Sequence, residues 1–209
     1  NNFIYKRYCD LIGYNLNYVH HVEEIPYLPI IFFKKKKIKS FKGKSKLFFK
    51  SSGTTSKKLS THYLNKIENY KESFYRCFES FYGPLKNLTI LALLPSYLKQ
   101  KNSSLIFMMN ELINETKKKE SGFYLYDYKK LSKTIDFLEK NKRKTILIGI
   151  VPSLFSFGKL FPKKLNHTII METGGMKNLP SDLTRKEIHQ KLKDFFGVNS
   201  IHSEYGMTE

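Results

Sequence analysis

Apolar residues along this chain fall into two alternating rhythms. Short runs of strand length recur at residues 47–50, 88–94, 123–126, 145–151, 168–172 and 200–203. Between most of them lie stretches in which apolar residues return every three or four positions, the period of one helix face. The clearest covers 60–81, where Leu64, Ile67, Tyr70, Phe74, Phe78 and Phe81 keep that spacing until Gly83-Pro84 stops it. Further helices are predicted over 103–116, over 128–140 through Leu131, Ile135 and Leu138, and over 153–161. A last one runs from Thr184, with Glu187 three residues on as a capping box, to Phe196, with Gly197 as its stop.

Alternating strand and helix over this length predicts an α/β fold: a mostly parallel sheet, right-handed crossovers and helices on both faces. Ligands of such sheets bind at the carboxyl ends of the strands. Residues 1–45 read differently, as a lead-in segment in which Pro26 and Pro29 forbid a central strand or helix, so the α/β domain is placed at 46–209. No internal repeat is visible, and low complexity is confined to lysine runs at 34–37 and 117–119.

Composition narrows the class. The chain has 209 residues, 41% hydrophobic and 15% aromatic, enough for a folded domain with a real core. Asn1 is not an initiator Met and Glu209 falls inside a motif, so a fragment of a longer protein is expected. The charge of +19 raises the question of nucleic acid, yet only four of the 37 basic residues are arginine, the type suited to bidentate phosphate and guanine contacts. Lys, Asn, Ile, Phe and Tyr all have A/T-rich codons, and genome base composition accounts for much of the lysine excess. The nine lysines of residues 34–50 read as a solvated loop or as a positive funnel toward phosphates. Two cysteines, Cys9 and Cys77, build no disulfide scaffold or metal site. No apolar run reaches the length of a membrane span, and a cytoplasmic location is expected.

Candidate chemistry concentrates in two stretches. Ser51-Ser52-Gly53-Thr54-Thr55-Ser56-Lys57-Lys58 supplies small residues, hydroxyls and cations, what a loop needs to bring backbone N–H groups up to phosphate. It is not a Walker loop, since position 58 holds Lys where that spacing needs a second Gly. Tyr205-Gly206-Met207-Thr208-Glu209 places a ring that can stack on adenine, worth about 1–3 kcal/mol per base. Thr208 can donate to an α-phosphate oxygen, and Glu209 can hold Mg²⁺. Either stretch alone is equally a plain solvated turn. Of the histidines, His62 at the start of a predicted helix and His202 three residues before Tyr205 could contact nucleotide or carboxylate; His20, His21, His167 and His189 read as structural or solvated.

Taken in order, these stretches carry a resemblance. The chain resembles the adenylate-forming enzymes, within them the acyl-protein synthetase branch of the bioluminescence fatty-acid reductase system, and is similar also to phenylacetate–CoA ligases. Five landmarks follow the family order: the Ser51–Thr55 loop, Leu93-Leu94-Pro95-Ser96-Tyr97, Gly149-Ile150-Val151-Pro152-Ser153, Glu172-Thr173-Gly174-Gly175, and Tyr205-Gly206-Met207-Thr208-Glu209.

The resemblance implies roles. Ser51, Ser52, Gly53, Thr54, Thr55, Ser56 and Lys57 would hold the ATP phosphates; Gly174 and Gly175 would lie against adenine with Tyr205 and Gly206. Tyr97 would face the acyl site, where His202 is a further candidate by its position, while Thr208 and Mg²⁺ on Glu209 would act at the α-phosphate. It implies ATP-dependent activation of a carboxylic acid, a fatty acid first of all, as acyl-adenylate, then transfer to a thiol on a protein, a carrier or coenzyme A. One departure is that the family loop continues Gly-x-Pro-Lys where this chain has Ser56, Lys57, Lys58 and Leu59, which leaves the phosphate-binding Lys open. The resemblance makes the chain an N-terminal fragment: the ribose-binding Asp, the C-terminal lid domain with its catalytic Lys and an acyl-accepting Cys would all lie beyond residue 209, so turnover by the fragment itself is expected to be slight. The alternative is a non-catalytic module that binds nucleotide or nucleic acid on the same fold.

Overall fold

The computed structural model describes residues 2–43, 45, 47–51, 59–94, 102–174 and 183–206. These form two compact units, the first from residues of 1–69 with 102–104, the second from residues of 70–94 and 105–206.

Five strands make the sheet of the second unit: β3 (Thr89–Leu93), β4 (Gly122–Phe123), β5 (Thr145–Ile150), β6 (Thr168–Thr173) and β7 (His202–Glu204). All pair in parallel, in the order β4-β3-β5-β6-β7. All five residues of β3 are buried, and this continuous apolar run is what a parallel strand covered on both faces requires. Helices α3 (Ile67–Tyr82), α4 (Ser104–Thr116), α5 (Tyr128–Lys140), α6 (Val151–Leu160) and α7 (Arg185–Phe196) supply that cover. On one face Ile90, Ala92, Ile146, Ile148 and Met171 pack with Phe74 and Phe78 of α3 and Met109 and Leu112 of α4. On the other, Leu91, Leu93, Leu147 and Ile170 pack with Leu131, Leu154, Phe157, Ile188 and Phe196 of α5, α6 and α7. The fold is therefore α/β with helices on both faces of a parallel sheet, as the alternation predicts.

The order of strands has a consequence for binding. From β3 the chain steps outward to β4 through α4 on one face. It then steps back past β3 to β5, and on to β6 and β7, through helices on the opposite face. Reversing direction while changing face keeps every crossover the same hand. Between β3 and β5 the following segments part toward opposite faces, and ligands of doubly wound sheets bind at such a switch point.

Local chemistry explains most boundaries. Asp127 caps α5, its Oδ1 accepting from Lys130 N at 3.0 Å, and helix 128–140 lies where the periodicity places it. Thr184 and Glu187 form a complete capping box and Gly197 ends α7 with φ 59°. β5 passes directly into α6, with Pro152 in the first turn where its missing N–H is not needed. β4 is only two residues long, because Leu125 at φ 49° turns the chain out of extended backbone.

The first unit corrects the reading of residues 47–66. β1 (Leu47–Lys50) is not a strand of the parallel sheet: it pairs antiparallel with β2 (Thr61–Leu64) in a separate two-stranded sheet. Helix α3 begins only at Ile67, so His62 stands on a strand rather than at a helix start. Leu64 matches the helix period by coincidence, while Thr61 and Tyr63 are strand formers whose partners Lys50 and Phe48 come from β1. Ahead of the hairpin lie α1 (Phe3–Leu11), capped by Asn2, and α2 (Ile31–Lys35), with Pro26 and Pro29 outside any helix or strand. Tyr5 donates its hydroxyl to Pro26 O at 2.8 Å, which ties α1 to the proline segment. Both cysteines are free, Cys9 buried and Cys77 exposed.

Candidate functional site

Parallel register sets the geometry of the carboxyl edge. Thr173 of β6 lies beside Glu204 of β7, so Gly174 and Tyr205, the residues that follow, leave the sheet side by side. Leu93 pairs with Gly149 and Ile150 with Thr173, which brings the ends of β3 and β5 to the same edge. Four of the five landmark segments thus start from four neighbouring strands. At about 4.8 Å per strand they span about 15 Å, the scale of a nucleotide.

Near the β6–β7 end, alternation sends neighbouring side chains to opposite faces. Glu172 is buried on the face of α7, where Oε1 accepts from Ser203 Oγ at 2.7 Å and Arg185 Nη2 at 2.8 Å, with His189 Nε2 at 3.5 Å. Glu204 points to the other face and accepts from the Thr173 hydroxyl through Oε2. Burial pushes the Glu204 carboxyl above the usual range; the Thr173 bond works against that shift and the nearby Glu172 charge adds to it.

That raised pKa gives a pH prediction. The folded protein holds the Glu204 proton more tightly than the unfolded chain, so between the ordinary carboxylate range and the raised value it binds more protons than the unfolded state. Stability therefore falls as pH rises through that window and levels off above it. Glu204→Gln should flatten this part of the profile, read as urea midpoint against pH. A profile the substitution leaves unchanged would show that Glu204 is not desolvated.

Tyr205 is 82% exposed, its ring clear for stacking. A Cβ on Gly206 would meet Glu204 Oε1 at 3.0 Å, so the glycine lets the backbone pass close to that carboxylate. His202 faces α3, its Nδ1 2.9 Å from the Tyr82 hydroxyl. At β5, a Cβ on Gly149 would lie 3.0 Å from both Leu93 Cβ and Leu154 Cγ, tight enough that the two leucines would have to shift.

Against protein-family models, curated proteins and solved structures, this chain finds no match.

In the first unit, Ser51 sits at the neck of its loop. Its N–H donates to Ser60 O at 3.0 Å and its Oγ accepts from Ser60 N at 3.0 Å. This double contact closes the segment between the strands of the hairpin. Ser60 is fully buried, and among the described residues its hydroxyl has no partner. Ser52, Gly53, Thr54, Thr55, Ser56 and Lys57 lie outside the described residues, as do Tyr97, Gly175, Thr208 and Glu209.

Glu172, Arg185, Ser203 and the Thr173–Glu204 pair are absent from the site predicted by sequence. One signal was available: Glu172 follows the apolar run Ile169-Ile170-Met171, and period two points it inward with Ile170. Its partners lie 13 to 31 residues away, beyond any local pattern. Among the described residues no group of His, Cys, Asp and Glu could hold a metal ion, and no helix is long and apolar enough to cross a membrane.

Proposed function

We propose that this chain carries the nucleotide-binding part of an adenylate-forming domain that activates a carboxylic acid, a fatty acid in the first instance, with ATP. The observation that carries this reading is the convergence of four landmark segments on one carboxyl edge, ending in an exposed Tyr205 beside a Gly174 turn.

A carboxylate oxygen of the acid attacks the α-phosphorus, the bond to the β-phosphate oxygen breaks, and pyrophosphate leaves with the electron pair. The acyl-adenylate then passes its acyl group to a thiol on a protein, a carrier or coenzyme A, releasing AMP. Tyr205 stacks on adenine beside Gly174. Thr208 donates to the α-phosphate, where charge develops. Glu209 would be the residue to hold Mg²⁺, which would supply charge neutralisation at the phosphates. The protein groups position and stabilise rather than react.

Two measurements test this. A non-hydrolysable acyl-adenylate mimic should bind the chain and raise its unfolding free energy by about 2.7 kcal/mol at a hundred times Kd. The full-length protein should also catalyse ATP–pyrophosphate exchange that depends on added carboxylic acid. Absence of both across fatty and aryl acids would end the proposal.

A further inference from the structure

Charge is unevenly distributed along this chain. Residues 25–67 contain twelve of the 37 basic residues, every one a lysine, and none of the 18 acidic ones. Base composition can enrich lysine everywhere, but it does not expel carboxylates from one stretch of 43 residues while the remaining sequence carries all 18. The clustering therefore has a cause beyond codon usage.

The structure of the first unit adds an apolar element to this basic stretch. Tyr27, Ile30 and Ile31 are exposed at 84%, 48% and 43%. They lead directly into α2 and the exposed Lys35, Lys36 and Lys37. Among the described residues none of these lysines meets a carboxylate; Lys37 Nζ instead lies 5.2 Å over the Tyr63 ring. Unneutralised cations beside exposed aliphatic and tyrosine side chains match an interface that is anionic outside and apolar beneath.

We infer that residues 27–37 form a docking surface for a membrane carrying anionic lipid headgroups, on which the protein lies peripherally. Lysines act as point charges toward a diffuse layer of phosphates, which demands no fixed geometry. Tyr27, Ile30 and Ile31 enter the headgroup boundary while the lysine stems extend to the phosphates. Nucleic acid fits less well. All four arginines lie outside 25–67, and exposed isoleucines have no role on a phosphate backbone.

Vesicle co-sedimentation tests the inference. The chain should partition onto phosphatidylcholine vesicles containing about 30% phosphatidylglycerol and not onto pure phosphatidylcholine. At about fivefold per lysine, the triple substitution Lys35→Gln, Lys36→Gln, Lys37→Gln should weaken partitioning about a hundredfold. These side chains are exposed, so the thermal melt should not move, and a shifted melt is resolved by testing each single substitution. Ile30→Ser with Ile31→Ser should abolish whatever binding survives high salt. Equal partitioning onto neutral vesicles, or indifference to the lysine substitutions, overturns the proposal. So does transfer of the protein from anionic vesicles to duplex DNA or RNA at matched phosphate concentration.

Discussion

Replacing Phe157 by alanine is expected to cost the second unit about 3–5 kcal/mol of stability. Phe157 is fully buried on α6, its ring stacked on Phe161 at 5.7 Å and on Phe196 at 6.0 Å, with Tyr128 edge-on at 5.8 Å. It therefore joins α5, α6 and α7 at one point. The cavity cannot collapse easily, because α6 and α7 already touch at Gly158, where an added Cβ would fall 2.8 Å from Phe195 Cβ. Against a total of about 5–15 kcal/mol, such a loss brings the unit near the unfolding limit. Phe155, only partly buried against Phe195, serves as the control and should cost clearly less. Urea unfolding followed by far-UV circular dichroism measures both; a loss below about 1 kcal/mol for Phe157→Ala would mean the three helices do not meet there.

Local signals carried most of the second unit, and nonlocal ones account for what the pattern missed. Helix 128–140 is legible because Leu131, Ile135 and Leu138 bury one face and Asp127 caps it. Helix 185–196 is legible because Thr184, Glu187 and Gly197 mark its two ends. β2 falls inside a helix period because its strand character depends on β1, and pairing is invisible to a spacing that Leu64 happens to satisfy. The candidate site divides along the same line. Gly174 and Tyr205 could be placed at strand ends from sequence, since each follows an apolar run. Their adjacency needed the β6–β7 register, and the Glu172 cluster needed α7 folded back over the sheet.

That cluster supports the second prediction, since Glu172 ties Ser203 of β7 and Arg185 of α7 to β6. Its contacts are unequal. Arg185 is 67% exposed on its side chain, so removing it should cost less than about 1 kcal/mol despite the 2.8 Å contact. Ser203 donates to the buried carboxylate from the neighbouring strand, and Ser203→Ala should cost about 1–2 kcal/mol. Glu172→Ala removes the acceptor for both, with an expected cost of about 2–3 kcal/mol, reduced because Arg185 can turn to water. If the cluster positions the closing motif as well as stabilising the fold, Glu172→Ala should weaken binding of the acyl-adenylate mimic even far below its unfolding temperature. Glu172→Gln, which can still accept from Ser203, should recover most of that affinity while staying less stable than the parent. Equal affinity in all three proteins would confine Glu172 to folding, and the end of β7 would then be positioned by its pairing with β6, the Tyr82–His202 contact and the Thr173–Glu204 pair.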